Sequence, residues 1–366
     1  MLRRWLRFLL LKPVMWAAAR FSSKPKREKI FKALTSLYTH IREHPGKRGP
    51  VISFDITKNR FIIFSDQHKG RRNGADDFIQ AEPNYLAALD HYYQEGYFFI
   101  NLGDSEELWE NSLWKVKKKN KATFEAEKKF MEMERSVKVF GNHDLFWDND
   151  PFAWLQLRSI FKMKVKIYEG VVLKAVNTGY PLTIFLTHGH QGDAQSDGNW
   201  FSKFFVAKIW APLQSLLRIN PNTPAYDAEK KTLHNSIMYE WSSTQQQLLL
   251  ITGHTHQPVF GSLTHLEKLY RQFQLAEKEK NAEQLEKLLD EIKKREKQFT
   301  AVALNYMDMH PTYFNTGCCC FSDGDITGIE ISEGYIRLVK WTSKKGVPVR
   351  EELEKASLEQ LSAQIR

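Results

Sequence analysis

Five short apolar runs in this chain each end on residues that bind metals or carry protons. Arg60-Phe61-Ile62-Ile63-Phe64 leads into Ser65-Asp66-Gln67-His68, and Tyr97-Phe98-Phe99-Ile100-Asn101-Leu102 leads into Gly103-Asp104. Ser136-Val137-Lys138-Val139-Phe140 leads into Gly141-Asn142-His143-Asp144. Leu182 to Thr187 leads into His188-Gly189-His190, and Gln247 to Thr252 into Gly253-His254-Thr255-His256. Apolar runs of this length, bounded by polar turns, read as buried strands. One such end is no more than a turn that happens to hold a histidine. Five in one chain point to a two-metal site.

The residue types divide the work. Asp66 and His68 are alternate loop residues, so a carboxylate and an imidazole face one ion. Gly103 allows a sharp turn, and the two oxygens of Asp104 can bridge two cations. Asn142 offers a neutral amide oxygen. His143 is left for acid–base work, with Asp144 placed to orient it. His188, nearer its strand end, is the expected ligand of its pair, and His190 is expected on substrate or phosphate. His254 and His256, two residues apart, can reach two neighbouring ions.

Charge separates the chain into two regions. Residues 1–50 hold 13 Lys/Arg against 2 Asp/Glu, whereas the remaining residues hold 40 against 41. A neutral body argues against a broad nucleic-acid footprint. The leader 1–22 mixes arginines with Trp5, Phe8, Leu9, Trp16 and Phe21. Its longest uncharged stretch, Pro13 to Ala19, is far short of a span, so it reads as an amphipathic segment on an anionic membrane surface. Packing on the body, a disordered tail and a signal peptide are the alternatives. The three cysteines are consecutive, Cys318-Cys319-Cys320, which excludes a disulfide framework and fits a reducing compartment.

The expected organisation has a basic amphipathic leader and linker at 1–50, a catalytic body at 51–345 and a polar helical tail at 346–366. Two insertions interrupt the body. The first, 191–246, holds the apolar run Trp200 to Leu217 and reads as a cap or lid, or else as a helix packed on the core. The second, 263–300, reads as a charged helical hairpin whose 264–297 stretch is structural or a partner surface. Lys115 to Lys121 reads as a solvated helix or loop. Cysteine alternation along a strand would bury one or two of the thiols.

The ordered blocks resemble the calcineurin-like metallophosphoesterase superfamily over about residues 60–340. The resemblance implies an α/β (α+β) fold, a four-layer αββα sandwich of two mixed sheets with helical insertions. It implies one metal held by Asp66, His68, Asp104 and His256. A second would be held by Asp104, Asn142, His188 and His254, with His143 and Asp144 as the acid–base dyad. Two divalent ions are expected, manganese first, with Fe, Zn, Co or Ni as alternatives. The phosphate-clamping Arg that protein Ser/Thr phosphatases carry in the Gly-Asp block is missing. Arg71 and Arg72 are the candidate replacements. Glu107-Leu108-Trp109, the insertion after His188 and the basic leader resemble the UDP-diacylglucosamine pyrophosphatases of lipid A synthesis. Those differ in having shorter chains and an Arg where His143 stands.

The expected activity is metal-dependent hydrolysis of a phosphodiester or pyrophosphate in a lipid- or nucleotide-linked substrate, at the inner, cytoplasmic face of a membrane. A soluble phosphomonoesterase or cyclic-nucleotide phosphodiesterase is the alternative within enzymes. A membrane-associated scaffold with a structural metal site is the alternative outside them. The expected partners are a phosphorylated small molecule or lipid and an anionic membrane surface, with a protein partner on 264–297 and no nucleic acid.

Overall fold

The computed structural model describes residues 25–74, 76–109, 111–192, 228–278, 284–285, 287–289, 292 and 309–365. The leader 1–22 and the apolar run Trp200 to Leu217 lie outside the described residues, and with them the expected membrane segment and most of the expected cap.

Twelve described strands form two mixed sheets. The first has five strands in the order β1 (Val51–Asp55), β6 (Gly170–Val176), β7 (Thr183–Thr187), β8 (Leu248–Thr252), β9 (Tyr313–Asn315). The second has seven, in the order β12 (Val347–Ser357), β11 (Tyr335–Lys344), β10 (Ile326–Ser332), β2 (Phe61–Phe64), β3 (Phe98–Leu102), β4 (Ser136–Val139), β5 (Ile167–Tyr168). β2, β3 and β4 pair in parallel, as do β7, β8 and β9. The blocks that follow five of these strands therefore leave the sheets at their C-terminal ends.

The uninterrupted apolar runs are explained by burial on both faces. Successive strand side chains point to opposite sides. Phe61 and Ile63 face inward with Ile100, Leu102, Ile184, Leu249 and Ile251 in the core between the sheets. Ile62, Phe64 and Phe99 face outward against Tyr85, Leu89 and Tyr92 of α2 (Phe78–Gln94). On the other flank Val172, Phe185, Leu248 and Leu250 meet α1 (Arg27–Glu43) and α7 (Ala228–Ser243). This is the expected αββα layering.

Three boundaries differ from the sequence reading. α1 is not part of a detached leader: Ile30, Leu34, Leu37 and Ile41 are fully buried beneath it against β6 and β7. The stretch 44–50 is not a loose linker. Glu169 N–H donates to Arg48 O, and a side chain at Gly49 would collide with the Gly170 carbonyl. The tail is not simply helical, because Val347–Ser357 pairs antiparallel along β11 before the short α9 (Leu358–Gln364). Arg350 on that strand reaches the buried Glu330 at 2.8 Å, a long-range contact that overrides local helix preference.

α2 spans Phe78–Gln94 with Pro83 inside it. Lys115 to Lys121 divides between α3 (Leu113–Lys119) and α4 (Lys121–Glu132), which meet at Asn120. In the second insertion α8 (His265–Lys278) starts with a capping box. Thr264 N–H donates to Glu267 Oε2 at 2.7 Å, and Glu267 N–H donates to Thr264 Oγ1. Leu266 and Leu269 on α8 bury against Ile292, so part of the apolar stripe is covered by the insertion itself.

Candidate metal centre

The loops after β2, β3, β4, β7 and β8 converge on one cluster. Asp66, His68, Asp104, His188 and His254 are buried in it, and Asn142, on the Gly141 to Asp144 loop, is buried as well. His68 Nε2 lies 3.1 Å from His256 Nε2 and 3.7 Å from Asp104 Oδ2. His256 Nε2 lies 3.2 Å from Asp66 Oδ1, and His188 Nε2 lies 3.1 Å from Asp104 Oδ2. The rings of His188 and His254 are 5.3 Å apart. His68, Asp104 and His143 form one group whose ligand-type atoms lie within 4.8 Å of one another, and Asp104, His188 and His254 form another. Asp104 belongs to both.

Whether the residues suit metal ions is decided by their polar atoms. Asp66 Oδ1, Asn142 Oδ1, His188 Nε2 and His254 Nε2 are buried without a hydrogen-bond partner. Leaving such groups unmatched costs ~1–3 kcal/mol each. The remote ring nitrogens are already committed. His188 Nδ1 contacts Leu102 O at 2.9 Å, and His68 Nδ1 contacts Glu107 Oε2 at 3.0 Å. With Nδ1 engaged outward, Nε2 faces the cluster, the arrangement a metal-binding imidazole requires. The mixed N/O donor set fits divalent metal ions.

The backbone is bent to make this cluster. Asp66, His68, Asp104, His254 and His256 all have positive φ, between 48° and 69°. That region costs a residue with a side chain about 1–2 kcal/mol. The loops also approach too closely for side chains at two glycines. A Cβ at Gly141 would stand 2.6 Å from Asp104 N, and one at Gly103 would stand 2.7 Å from His188 Nδ1.

Charge holds the cluster in place. Burial pushes Asp66 up, but His256 and His188 hold it well below the usual carboxylate range. Burial pushes His190 down to about 3, helped by neighbouring His188, so its ring is neutral. Behind the loops, fully buried Lys69 bridges Glu106 at 3.1 Å and Glu127 at 2.5 Å. Lys138 reaches Glu106 at 3.0 Å, and Trp147 Nε1 donates to it at 2.8 Å. Two lysines and two glutamates thereby tie the Asp66 and Asp104 loops to α4.

His143 does not face Asp144. The Asp144 carboxylate accepts from Ser105 N–H at 2.9 Å and Gly141 N–H at 2.5 Å, clamping two loops together. The acid beside His143 is Glu107, whose Oε2 lies 2.7 Å from Nδ1 in a contact too bent to count as an aligned hydrogen bond. Burial pushes Glu107 up, but His143 and His68 bring it down to about 2, so it is ionised. Trp109 stacks on the other side of the His143 ring, with centroids 4.6 Å apart.

The expected substrate groups part company. His190 is buried beside His188, with ring centroids 5.4 Å apart. Arg72 is turned away to Glu82 and to Lys119 O, and Arg71 is half-buried on the same loop. The orienting Glu107 was visible in sequence only as a residue following the Gly-Asp block. His234, on α7, carried no local signal. Its ring lies 5.1 Å from His254 and its Nε2 contacts Gly189 O at 2.9 Å. Asn315 was also missed, although its Nδ2 donates to Gly253 O at 2.7 Å and fixes the turn that carries His254 and His256. The cysteines sit in the loop after β9 rather than along a strand, and all three are buried and unbridged.

A sandwich of two mixed sheets with Asp, His and Asn gathered at one edge defines a metal-dependent phosphoesterase. The chain belongs to the calcineurin-like phosphoesterase family, whose profile matches residues 59–258, more than half its length. No curated protein matches the chain. Similar solved structures include vacuolar protein sorting 29 from Cryptosporidium parvum, at TM-score 0.31 and 11% identity, covering 82% of this chain and 98% of that one. A single mutant of Vps29 from Entamoeba histolytica follows at TM-score 0.27 and 14% identity, covering 81% and 99%. Among the described residues no helix is long and apolar enough to cross a membrane.

Proposed function

We propose that the chain hydrolyses a phosphodiester or pyrophosphate bond in a lipid- or nucleotide-linked substrate at the inner face of a membrane, using two divalent ions, manganese first. The observation that carries the chemistry is the set of four buried, unmatched atoms on Asp66, Asn142, His188 and His254, beside the His143–Glu107 pair. The basic, apolar leader supports the membrane setting. Asp66, His68, Asp104 and His256 would hold one ion, and Asp104, Asn142, His188 and His254 the other. Two such ions supply Lewis acidity and neutralise the charge that builds on the phosphorus oxygens.

The other steps belong to this chain's own residues. Ionised Glu107, 2.7 Å from His143 Nδ1, orients the ring so that Nε2 can exchange a proton with the leaving oxygen. Trp109 restrains the His143 ring by stacking on it. Neutral, buried His190 provides a phosphate contact that adds no charge. With Arg72 engaged by Glu82, the phosphate relies on the histidines rather than on an arginine clamp.

The test is metal analysis of the full chain together with Mn-dependent hydrolysis of bis-p-nitrophenyl phosphate and p-nitrophenyl phosphate. About two metals per chain are expected, with a diesterase rate that falls ~100-fold or more in His143→Ala. Preference for the monoester would favour a phosphomonoesterase. Two metals without turnover in either assay would favour a scaffold, and no metal would overturn the reading.

A further inference from the structure

The strongest feature outside the metal cluster is a surface formed by α3 and α6 (Ala153–Phe161). Both lie just beyond site blocks, α3 after the Gly103-Asp104 block and α6 after Gly141 to Asp144. Their inner faces share one apolar cluster, in which Leu113 and Val116 pack with Ala153, Leu157 and Ile160. Lys117 Nζ ties the helices together by donating to Ser159 O at 3.1 Å. α3 is also held to the site loop, since Arg72 Nε donates to Lys119 O at 3.0 Å and Asn120 Nδ2 donates to Gly70 O at 2.7 Å.

The outward faces combine two properties that a water-facing surface seldom joins. Trp114, Phe152 and Trp154 are 66%, 62% and 56% exposed, and Leu155 is 44% exposed. Solvent-facing aromatics on two helices that pack together mark a candidate interaction surface. The two stretches that carry them are basic. Residues 113–121 hold five lysines, and 151–166 hold one arginine and three lysines, with no Asp or Glu in either stretch. The rest of the body shows no such excess, because residues 51–366 are close to neutral as a whole. Asp148 and Asp150 border the surface, and Asp150 Oδ1 is engaged by Phe152 N–H at 2.7 Å. Lys118 Nζ lies 5.1 Å from the centre of the Trp114 ring, placing a cation and an indole side by side.

We infer that this surface docks on an anionic lipid bilayer, with Trp114, Phe152, Trp154 and Leu155 entering the headgroup boundary and the lysines meeting the lipid charge. Tryptophan suits that boundary because its body is apolar and its N–H is polar. Each basic residue near an anionic surface raises partitioning on the order of fivefold. A single-stranded polyanion would meet the lysines and stack on the tryptophans but leave Leu155 in water, whereas a bilayer boundary takes all four apolar side chains. The inference takes its partner from the membrane setting proposed above and is independent of hydrolysis. It adds a docking surface within the folded body, on helices that follow two of the metal loops in the chain.

The test is hydrogen exchange on the full chain with phosphatidylglycerol vesicles, phosphatidylcholine vesicles or a single-stranded oligonucleotide. Peptides from 113–121 and 151–166 should gain protection with phosphatidylglycerol alone. The variants W114S/W154S and K115E/K118E/K119E, at unchanged melting temperature, should lose that protection and partition at least about tenfold more weakly. Binding with protection elsewhere but none in these peptides overturns the docking surface and leaves the membrane setting intact. No binding to either vesicle overturns both. Protection by the oligonucleotide without protection by vesicles also overturns the inference.

Discussion

At the residue scale, His143 and its neighbours show how little a motif says about partners. Asp144 follows His143 directly, yet its carboxylate is used up by two backbone N–H groups. Glu107, 36 positions earlier, reaches both His143 and His68. Adjacent residues on a turn point in different directions, so an orienting acid is more easily supplied by another loop. Glu107→Gln should keep the fold and lower diesterase turnover ~10–100-fold, the range for losing the partner of a metal-binding or catalytic imidazole. Steady-state kinetics beside far-UV circular dichroism would check this. Full activity in Glu107→Gln with a catalytic loss in Asp144→Asn would return the role to Asp144.

The same scale explains the strained backbone. Five residues of the cluster adopt positive φ although none is glycine. No propensity favours such a set, and surrounding structure has to impose it. Here Asp66 N–H is held by Gly103 O and His68 N–H by Asp104 O, while His254 N–H donates to Asp66 Oδ2. Each loop is thus fixed by the next.

At the element scale, α1 decides where the folded body begins. Its basic composition suggested a leader, but the 3.6-residue period of Ile30, Leu34, Leu37 and Ile41 gives one fully buried face. Leu34→Ala should therefore destabilise the protein by about 2–5 kcal/mol in urea unfolding, as a core leucine does. A loss within about 0.5 kcal/mol would mark a helix that only rests on the surface. Strand β12 shows the opposite limit. Its sequence of Glu, Lys and Leu reads as helix, and only the exposed edge of β11 makes it a strand.

At the scale of the whole molecule, the metal cluster is where the two sheets are joined. Asp66 and Asp104 come from the seven-stranded sheet, and His188, His254 and His256 from the five-stranded one. Ions held between them would cross-link the halves of the sandwich. Chelation should lower the melting temperature by roughly 5 °C, since a ligand present at about 100 times its Kd stabilises by ~2.7 kcal/mol. Differential scanning fluorimetry with and without EDTA, and then with Mn re-added, would show it. An unchanged midpoint at proven metal loss would mean that the sheets hold the site without help.

The sequence by itself determined the strands and the site residues they deliver. An uninterrupted apolar run buried on both faces is locally legible, and so are the Gly, Asp, Asn and His residues that end it. That was enough to name Asp66, His68, Asp104, Asn142, His143, His188, His254 and His256 as candidates, whose loops converge in the structure, whereas the two mixed sheets were implied by the family resemblance of the ordered blocks. Only the tertiary structure decided which acid faces His143, that His234 and Asn315 join the site, that Arg72 turns to Glu82, and that α1 and β12 belong to the body. Those outcomes depend on contacts between residues far apart in the chain. Local propensity and spacing carry no information about which loop lies across the cluster from which.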